Sequence, residues 1–432
     1  MGFSTEDWDW LGGFLKRRGL PGMAIAVRDA EGETAFASKG WADLRRQPIG
    51  PETLFELGSI GKTHTAVVAL QLAKEGLVSF DAPVSKYLPW FEVRSDYEPI
   101  ALEHLLTHSA GLISGADITA DSRFDVWALR DTGVGFPPGE RHYYSNVGYR
   151  VVGCVLEDVT GTRYPELLRT RILEPLGLVD TEPEISVEVR PRLAVGYDRL
   201  HDDRTPEPDD PLYPATWLET TTADGSLAST ASDLSAFGSS LLAGTAQQLL
   251  SGPLLDSGYG WRYGYGLEVK GSLIRHGGSM PGFASTMLGD LDSGVAVAVL
   301  MNGPDEHDAT YEVARFALDL HRGVNPTPLG DPEPWPPDSP PAVPLEEYAA
   351  FYGRYRSYSP WLPGFRIEQR ESGLTAACSW GEDRPLTRLG ETNFRVGAEE
   401  WSPERLRLDA FVDGKALRAN LSGESYYRSD FD

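Results

Sequence analysis

The sequence predicts an α+β protein, an antiparallel sheet flanked by helices with a helical subdomain, followed by a small all-β barrel. Three observations carry that reading. Strand-like patterns occur early, in GMAIAVRDAEGETAFASKGWAD (22–43), and again late, in the stretch 261–303, with helical patterns between, so the sheet must join distant parts of the chain. Pro326, Pro328, Pro332, Pro334, Pro336, Pro337, Pro340, Pro341 and Pro344 crowd one short segment, a density that forbids helix and favours an extended spacer. Beyond it, short alternating runs such as FRIEQRE, NFRVG and RLRLDAFVDG recur between Gly, Asn or Asp turns, the pattern of a small antiparallel barrel. The expected organisation is residues 1–325, a linker over 326–344 and the barrel over 345–432.

Taken in order, a helical opening leads to two apolar runs on either side of Asp29-Ala30-Glu31-Gly32, which reads as a β-hairpin. Residues 59–76 place Thr65, Val68, Ala69 and Leu72 on one stripe and stop at Gly76, a C-cap signal, so this stretch is a buried helix. From 100 to 245 helical patterns alternate with loops rich in Pro, Gly and Asp. Three β-prone runs then lie within 261–303, and YEVARFALDLHRG after them is helical.

Composition narrows the function. The chain has 432 residues, 39 Lys and Arg against 64 Asp and Glu, and a formal charge of −25, which repels phosphate backbones and anionic lipid. Neither a nucleic acid nor a membrane is an expected partner. Cys154 and Cys378 are too few for a disulfide framework, and the sequence carries no metal-ligand spacing, so no cofactor is expected. The first residues contain no apolar run of secretory length, and Glu6 stands where a myristoylation signal needs Ser or Thr; the expectation is a cytoplasmic protein. Oligomeric state is not legible.

Ser59 and Lys62, at i and i+3, project from one helix face, where an amine can share a hydroxyl proton and the helix N-terminus favours developing negative charge. Alone, Ser-x-x-Lys is a weak signal, far more often an N-cap serine before a surface lysine. Gly61-Lys62-Thr63 is not a phosphate loop, because the first glycine of that motif would fall at Glu56.

Two further elements follow in order, Tyr144-Ser145-Asn146 and His276-Gly277-Gly278-Ser279. With TLFELGSIGK, LEHLLTHSAGL, FPPGERHYYSN and ADGSLASTASDLSAF around them, the chain resembles the serine β-lactamase and penicillin-binding-protein-like family over roughly residues 10–320, especially its class C-like esterase, D-peptidase and acyltransferase members. The resemblance implies that Ser59 is the acylated nucleophile and Lys62 its proton partner. Tyr144 would be the general base and the proton donor to the leaving group, and Asn146 would hold Lys62 and bind the substrate's amide or acyl oxygen. His276 would open the motif on the strand edging the cleft, Gly277 and Gly278 would let substrate backbone approach that strand, and the N–H groups of Ser59 and Ser279 would form the oxyanion hole. EEYAAFYGRYR resembles the start of the lipocalin-like domain that some members append.

One departure stands out. Where the family's β-lactamases carry Lys-Thr-Gly, this chain has His276, which puts efficient β-lactam hydrolysis in doubt and leaves esterase and D-aminopeptidase work open. Tyr143, Trp217, Phe283 and the loop 112–135 are candidates for pocket walls. His104 and His108 read as structural rather than as a metal pair, and His64 and His142 as peripheral. An arginine of the barrel, Arg354, Arg366 or Arg428, could stand in for the missing lysine. The function expected is a serine hydrolase or acyltransferase working through acyl-Ser59 on small esters or amides, including D-configured peptides. Its rivals are a peptide-cyclising thioesterase, a β-lactamase or DD-carboxypeptidase, and a non-catalytic sensor.

Overall fold

A computed structural model of the chain describes residues 9–430 apart from 46, 116–120, 201–206, 305–306, 331–341, 360–361, 363 and 379–382. Most of the expected proline spacer thus lies outside the described residues.

The predicted hairpin is β1 (Gly22–Arg28) and β2 (Thr34–Asp43), with β3 (Gln47–Pro48) outside β2. Two small ladders come next, β4 (Phe55–Glu56) with β7 (Ala228–Ser229) and β5 (Tyr197–Arg199) with β6 (Leu212–Pro214). The stretch 255–301 supplies β8 (Leu255–Gly258), β9 (Trp261–Tyr263), β10 (Glu268–Lys270), β11 (Leu273–Met280), β12 (Phe283–Asp290) and β13 (Val295–Met301). These complete one nine-stranded antiparallel sheet in the order β3-β2-β1-β13-β12-β11-β10-β9-β8. Early and late segments meet where β1 pairs β13, Met23 opposite Met301. The reading of 261–303 found the three long strands; the short β9 and β10 at its start join the same sheet.

Side-chain size sorts the two faces. In β1, Met23, Ile25 and Val27 point to one side and pack with Leu11, Phe14 and Leu15 of α1 (Asp9–Arg18) and Val313 and Ala317 of the helix His307–His321. Ala24 and Ala26 point to the other, where small side chains leave room for the central helices. There lie α2 (Gly61–Lys74), α3 (Leu102–Leu106), α4 (Ser122–Ala128), α5 (Asn146–Thr160), α6 (Tyr164–Leu168), α7 (Glu174–Leu176), α8 (Ala231–Ser240) and α9 (Ala246–Leu249); the helix 307–321 is α10. Each large side chain so buried is worth about 1.5–3 kcal/mol.

Helix α2 carries the expected stripe inward, with Thr65, Val68, Ala69 and Leu72 fully buried, and Gly61 to Ala69 have no solvent face at all. It stops as expected: Gly76 adopts φ +76°, and the N–H groups of Gly76 and Leu77 donate back to the carbonyls of Ala73 and Leu72.

The C-terminal part is a closed antiparallel barrel of eight strands, β14 (Gly353–Arg356), β15 (Phe365–Arg370), β16 (Gly373–Cys378), β17 (Arg384–Arg388), β18 (Asn393–Val396), β19 (Arg405–Val412), β20 (Lys415–Leu421) and β21 (Glu424–Arg428), each beside its neighbours in sequence and closed by β14 against β21. Phe351, Tyr355, Phe365, Phe394, Leu408 and Tyr426 fill its interior. The loop before β19 lies on the N-terminal part. Trp401 meets Phe136 and Tyr143 edge-on, and Gly135 approaches so closely that a Cβ there would sit 2.1 Å from the Trp401 carbonyl oxygen.

Candidate active site

Ser59 lies on the 3-10 turn Gly58–Ile60 that runs into α2. The turn is pressed backbone to backbone on β11. Gly58 adopts φ +54°, and a Cβ there would fall 2.5 Å from the Ser279 carbonyl oxygen; a Cβ on Gly278 would fall 1.9 Å from the Leu57 carbonyl oxygen. Ser285 Oγ donates to that same Leu57 oxygen at 2.8 Å, and the Leu57 N–H donates to Leu227. Two glycines and one serine thus set Ser59 beside Ser279.

Lys62, one turn along, has no solvent exposure; its Nζ lies 2.9 Å from Ser59 Oγ and donates to the Asp224 carbonyl oxygen at 2.7 Å. The same Nζ stands 4.9 Å from the centre of the Tyr144 ring. Tyr144 is held from behind by His108, whose ring lies 4.1 Å away. The His108 carbonyl accepts from the Tyr143 N–H at 2.7 Å and its Nδ1 accepts from the Ser145 N–H at 3.0 Å, so one buried residue fixes the backbone on both sides of Tyr144. His108 adopts φ +55°, a strained conformation for a side chain of this size.

Ser59 and Tyr144 thereby line one cleft of about 430 Å³, with His276, Gly277 and Ser279 along its β11 edge and Lys62 buried against Ser59. The sequence matches the Beta-lactamase family over residues 9–321. The chain belongs to that family. Penicillin-binding protein 4* of Bacillus subtilis is 28% identical over 307 residues, covering 64% of this chain and 66% of that protein. The teichoic acid D-alanine hydrolase of Staphylococcus aureus is 34% identical over 149 residues, 34% of this chain and 37% of that one. This chain thus matches just under two thirds of the first relative's length and little over a third of the second's. The octameric penicillin-binding protein homologue from Pyrococcus abyssi has a similar fold, with TM-score 0.66 and 23% identity over 98% of this chain and 99% of that one.

Within this beta-lactamase family site, the third motif carries no cation. The Gly277 carbonyl can only accept, so His276 Nδ1, 2.7 Å away, bears the proton, and Nε2 accepts from the Tyr263 hydroxyl at 2.9 Å. Burial, then the nearby Lys62 charge, pushes this imidazole down to about 4. Burial also lowers His142 to about 4, and burial, then His142 and Lys62, hold His108 well below its usual range. Every imidazole around Lys62 is therefore neutral at pH 7. Among the described residues no group of His, Cys, Asp or Glu is arranged to hold a metal.

Other expected residues stand elsewhere. Asn146 makes no hydrogen bond to Lys62; its Oδ1 is buried without a partner, and Asp224 holds the lysine instead. Tyr143 turns away from the cleft, donating to Glu404 of the barrel at 3.0 Å. Phe283 is core, packed edge-on to Phe55. Gly278 is spent on the contact with Leu57 rather than on substrate. Trp217 lies over Arg190 and the small cluster around Ile185. Arg428 is buried in the barrel against the Ala416 and Ala350 carbonyls, and neither it nor Arg354 nor Arg366 lines the cleft. His142, read as peripheral, does line it. His64 is buried in α2, stacked 3.7 Å from Phe237, with its pKa lowered by burial to about 4.

The sequence reading missed Asp224, Arg150 and the Arg275–Glu268 pair. Arg150 Nε donates to Asp224 Oδ1 at 3.1 Å and its NH1 pairs with Asp125, all in the interior, and this triad fixes the turn whose carbonyl holds Lys62. Arg150 stands four residues after Asn146 on α5, one turn along the same face, the one signal that could have drawn attention to it. Arg275 and Glu268, paired at 2.7 Å, form the charged wall of the cleft.

Proposed function

We propose that the protein is a serine hydrolase that forms an acyl-Ser59 intermediate on small esters or amides, including D-configured peptides. The observation that carries this is the 2.9 Å contact between Ser59 Oγ and a lysine amine wholly withdrawn from water. Tyr144 and Lys62 take the hydroxyl proton as Oγ attacks the acyl carbon, and the N–H groups of Ser59 and Ser279 receive the charge that develops on the acyl oxygen. Tyr144 returns the proton to the leaving alcohol or amine. Water, or a bound amine, then attacks the ester carbon, Ser59 leaves, and the proton returns to its oxygen.

The teichoic acid D-alanine hydrolase, whose name gives a D-alanyl substrate, lends support to the D-configured class. The neutral, doubly hydrogen-bonded His276 argues against β-lactams whose carboxylate needs a cation at that position. We read the barrel as lipocalin-like, with its interior filled and its contribution made at the rim facing the hydrolase part.

The test compares initial rates on a short-chain p-nitrophenyl ester, D-alanine p-nitroanilide, a chromogenic cephalosporin and a peptidyl thioester, with Ser59→Ala as control. Serine-dependent turnover of the ester or the anilide is expected. Cephalosporin as the best substrate would refute the reading of His276, and equal rates for wild type and Ser59→Ala on all four, with no acyl adduct by intact mass, would refute the reaction.

A further inference from the structure

A second chamber, of about 960 Å³, lies where the barrel meets the hydrolase part, and it is roomier than the cleft over Ser59. Arg94, Phe124, Trp127 and Val147 line it from one side, Arg405 and Ser422 from the other. The two cavities share no lining residue, but one short segment contributes to both. Tyr144 lines the cleft, Val147 lines the chamber, and between them in sequence Asn146 keeps a buried Oδ1 without a partner. From behind, Arg150 in the chamber wall grips Asp224, whose carbonyl holds Lys62.

The charges in the chamber are unusual for a chain of net charge −25. Among the described residues neither Arg94 nor Arg405 has a carboxylate partner: Arg94 donates to the Thr132 and Asp131 carbonyls, Arg405 to those of Ser402 and Glu404. Burial, then the charges of Arg395 and Arg94, disfavour the charge on Arg405, with Glu404 opposing them, and the Nε of Arg395 is buried without an acceptor. Guanidinium groups that make no direct ion pair with a carboxylate of the chain can take one in their forks. The wall also offers Asp131 and Glu424 and the exposed rings of Phe124 and Trp127, stacked 6.1 Å apart. Cations, acceptors for N–H groups and an aromatic face together describe a peptide-like chain ending in an acid.

We infer that the interdomain chamber is the subsite for the distal, carboxylate-bearing end of the acyl chain attached at Ser59, so that the barrel takes part in choosing the substrate. The inference rests on the acyl-Ser59 reading above, and its test is separable from that reading. The probes are succinyl-(Gly)n-D-alanine anilides with n from 0 to 3, each against its butyryl-capped counterpart, titrated calorimetrically into the full chain carrying Ser59→Ala at low salt. At the fitting length the succinyl probe binds about tenfold tighter. The gap persists in Arg405→Lys, closes when Arg94→Gln and Arg405→Gln are combined, and shrinks with salt.

Equal binding of the capped pairs, no binding at any length, or a gap that survives the double substitution overturns the subsite. Intact mass of wild type with the same anilides reads the reaction separately. An acyl adduct without a binding gap removes only the subsite, and a gap without an adduct removes only the reaction.

Discussion

Replacing Glu404 with alanine removes one acceptor from three donors at once. In the folded protein the carboxylate, 8% exposed, accepts from the Ser114 N–H at 2.7 Å, the Tyr143 hydroxyl at 3.0 Å and the Ser422 hydroxyl. The first two donors belong to the hydrolase part, so this side chain joins the barrel to the active-site wall. Hydrogen bonds to a charged acceptor contribute about 1.5–3 kcal/mol each, so loss of the two cross-domain bonds weakens docking by about 3–6 kcal/mol. The disturbance reaches the site by two short routes. The Ser114 carbonyl accepts the Asn146 N–H at 2.7 Å, and Tyr143 shares a peptide bond with Tyr144. Glu404→Ala should therefore lower kcat on the best ester by about tenfold or more, and make the barrel melt or be cleaved separately from the rest; Glu404→Gln, which keeps a carbonyl acceptor, should fall between. The assay is steady-state kinetics beside denaturant unfolding followed by tryptophan fluorescence and far-UV signals. If Glu404→Ala leaves kcat, KM and a single unfolding transition unchanged, the barrel does not brace the catalytic wall.

Gly278→Ala sets a Cβ 1.9 Å from the Leu57 oxygen, so the turn bearing Ser59 must move; turnover should fall more than about a hundredfold, the scale of a 1 Å misplacement, while Gly330→Ala, an open position with no atom within 4 Å and no positive φ, serves as a stability control for glycine replacement. Arg150→Met leaves Asp125 and Asp224 buried without their cation and should cost about 3–5 kcal/mol in urea unfolding; an unchanged midpoint would show the triad to be dispensable. The pH dependence of stability should have two flanks. His64, His142 and His276, lowered to about 4, take up protons in the unfolded chain first, so stability is present above pH 6.5 and is lost as pH falls from there through 4. Glu56, raised by burial to about 8, works in the opposite sense: its contribution is present below 4.5 and is lost as pH rises through 8, with a slope of up to about 1.4 kcal/mol per pH unit. Denaturant melts from pH 5 to 9 should show this alkaline decline in wild type and a flatter one in Glu56→Gln; parallel curves would remove Glu56 as its source.

What the sequence disclosed depended on the range of each interaction. The i, i+3 spacing of Ser59 and Lys62 is a local fact of helix geometry, and the stripe and stop of α2 are local too. Tyr144 and His276 came into view only through motif order, because the contacts that bring them to Ser59 join segments far apart in the chain. The Asp224–Arg150–Asp125 triad joins three segments that no periodicity relates. Tyr143 was legible as a neighbour of Tyr144, but in an extended segment adjacent side chains face opposite ways, and what lies on its other side is a barrel loop more than 250 residues further on. Phe283 belongs to a strand buried on both faces, where an aromatic is as well placed for the core as for a wall. The glycines of the third motif did signal a close approach; the partner is the chain's own Leu57.

The pairing of β1 with β13 also governs how the protein can be made. Met23 waits for Met301, 278 residues later in the chain. At about 5–20 residues per second, a ribosome needs roughly 15–55 s to supply it. Throughout that interval an apolar strand, Met-Ala-Ile-Ala-Val, presents one unpaired edge, a template for pairing with another unfinished chain. A chain arrested before residue 273 already carries Ser59 and Lys62, yet it lacks the strand on which the Gly58–Ile60 turn rests. The Gly58–Ile60 turn therefore takes its final place only after the sheet has been closed by its last strands.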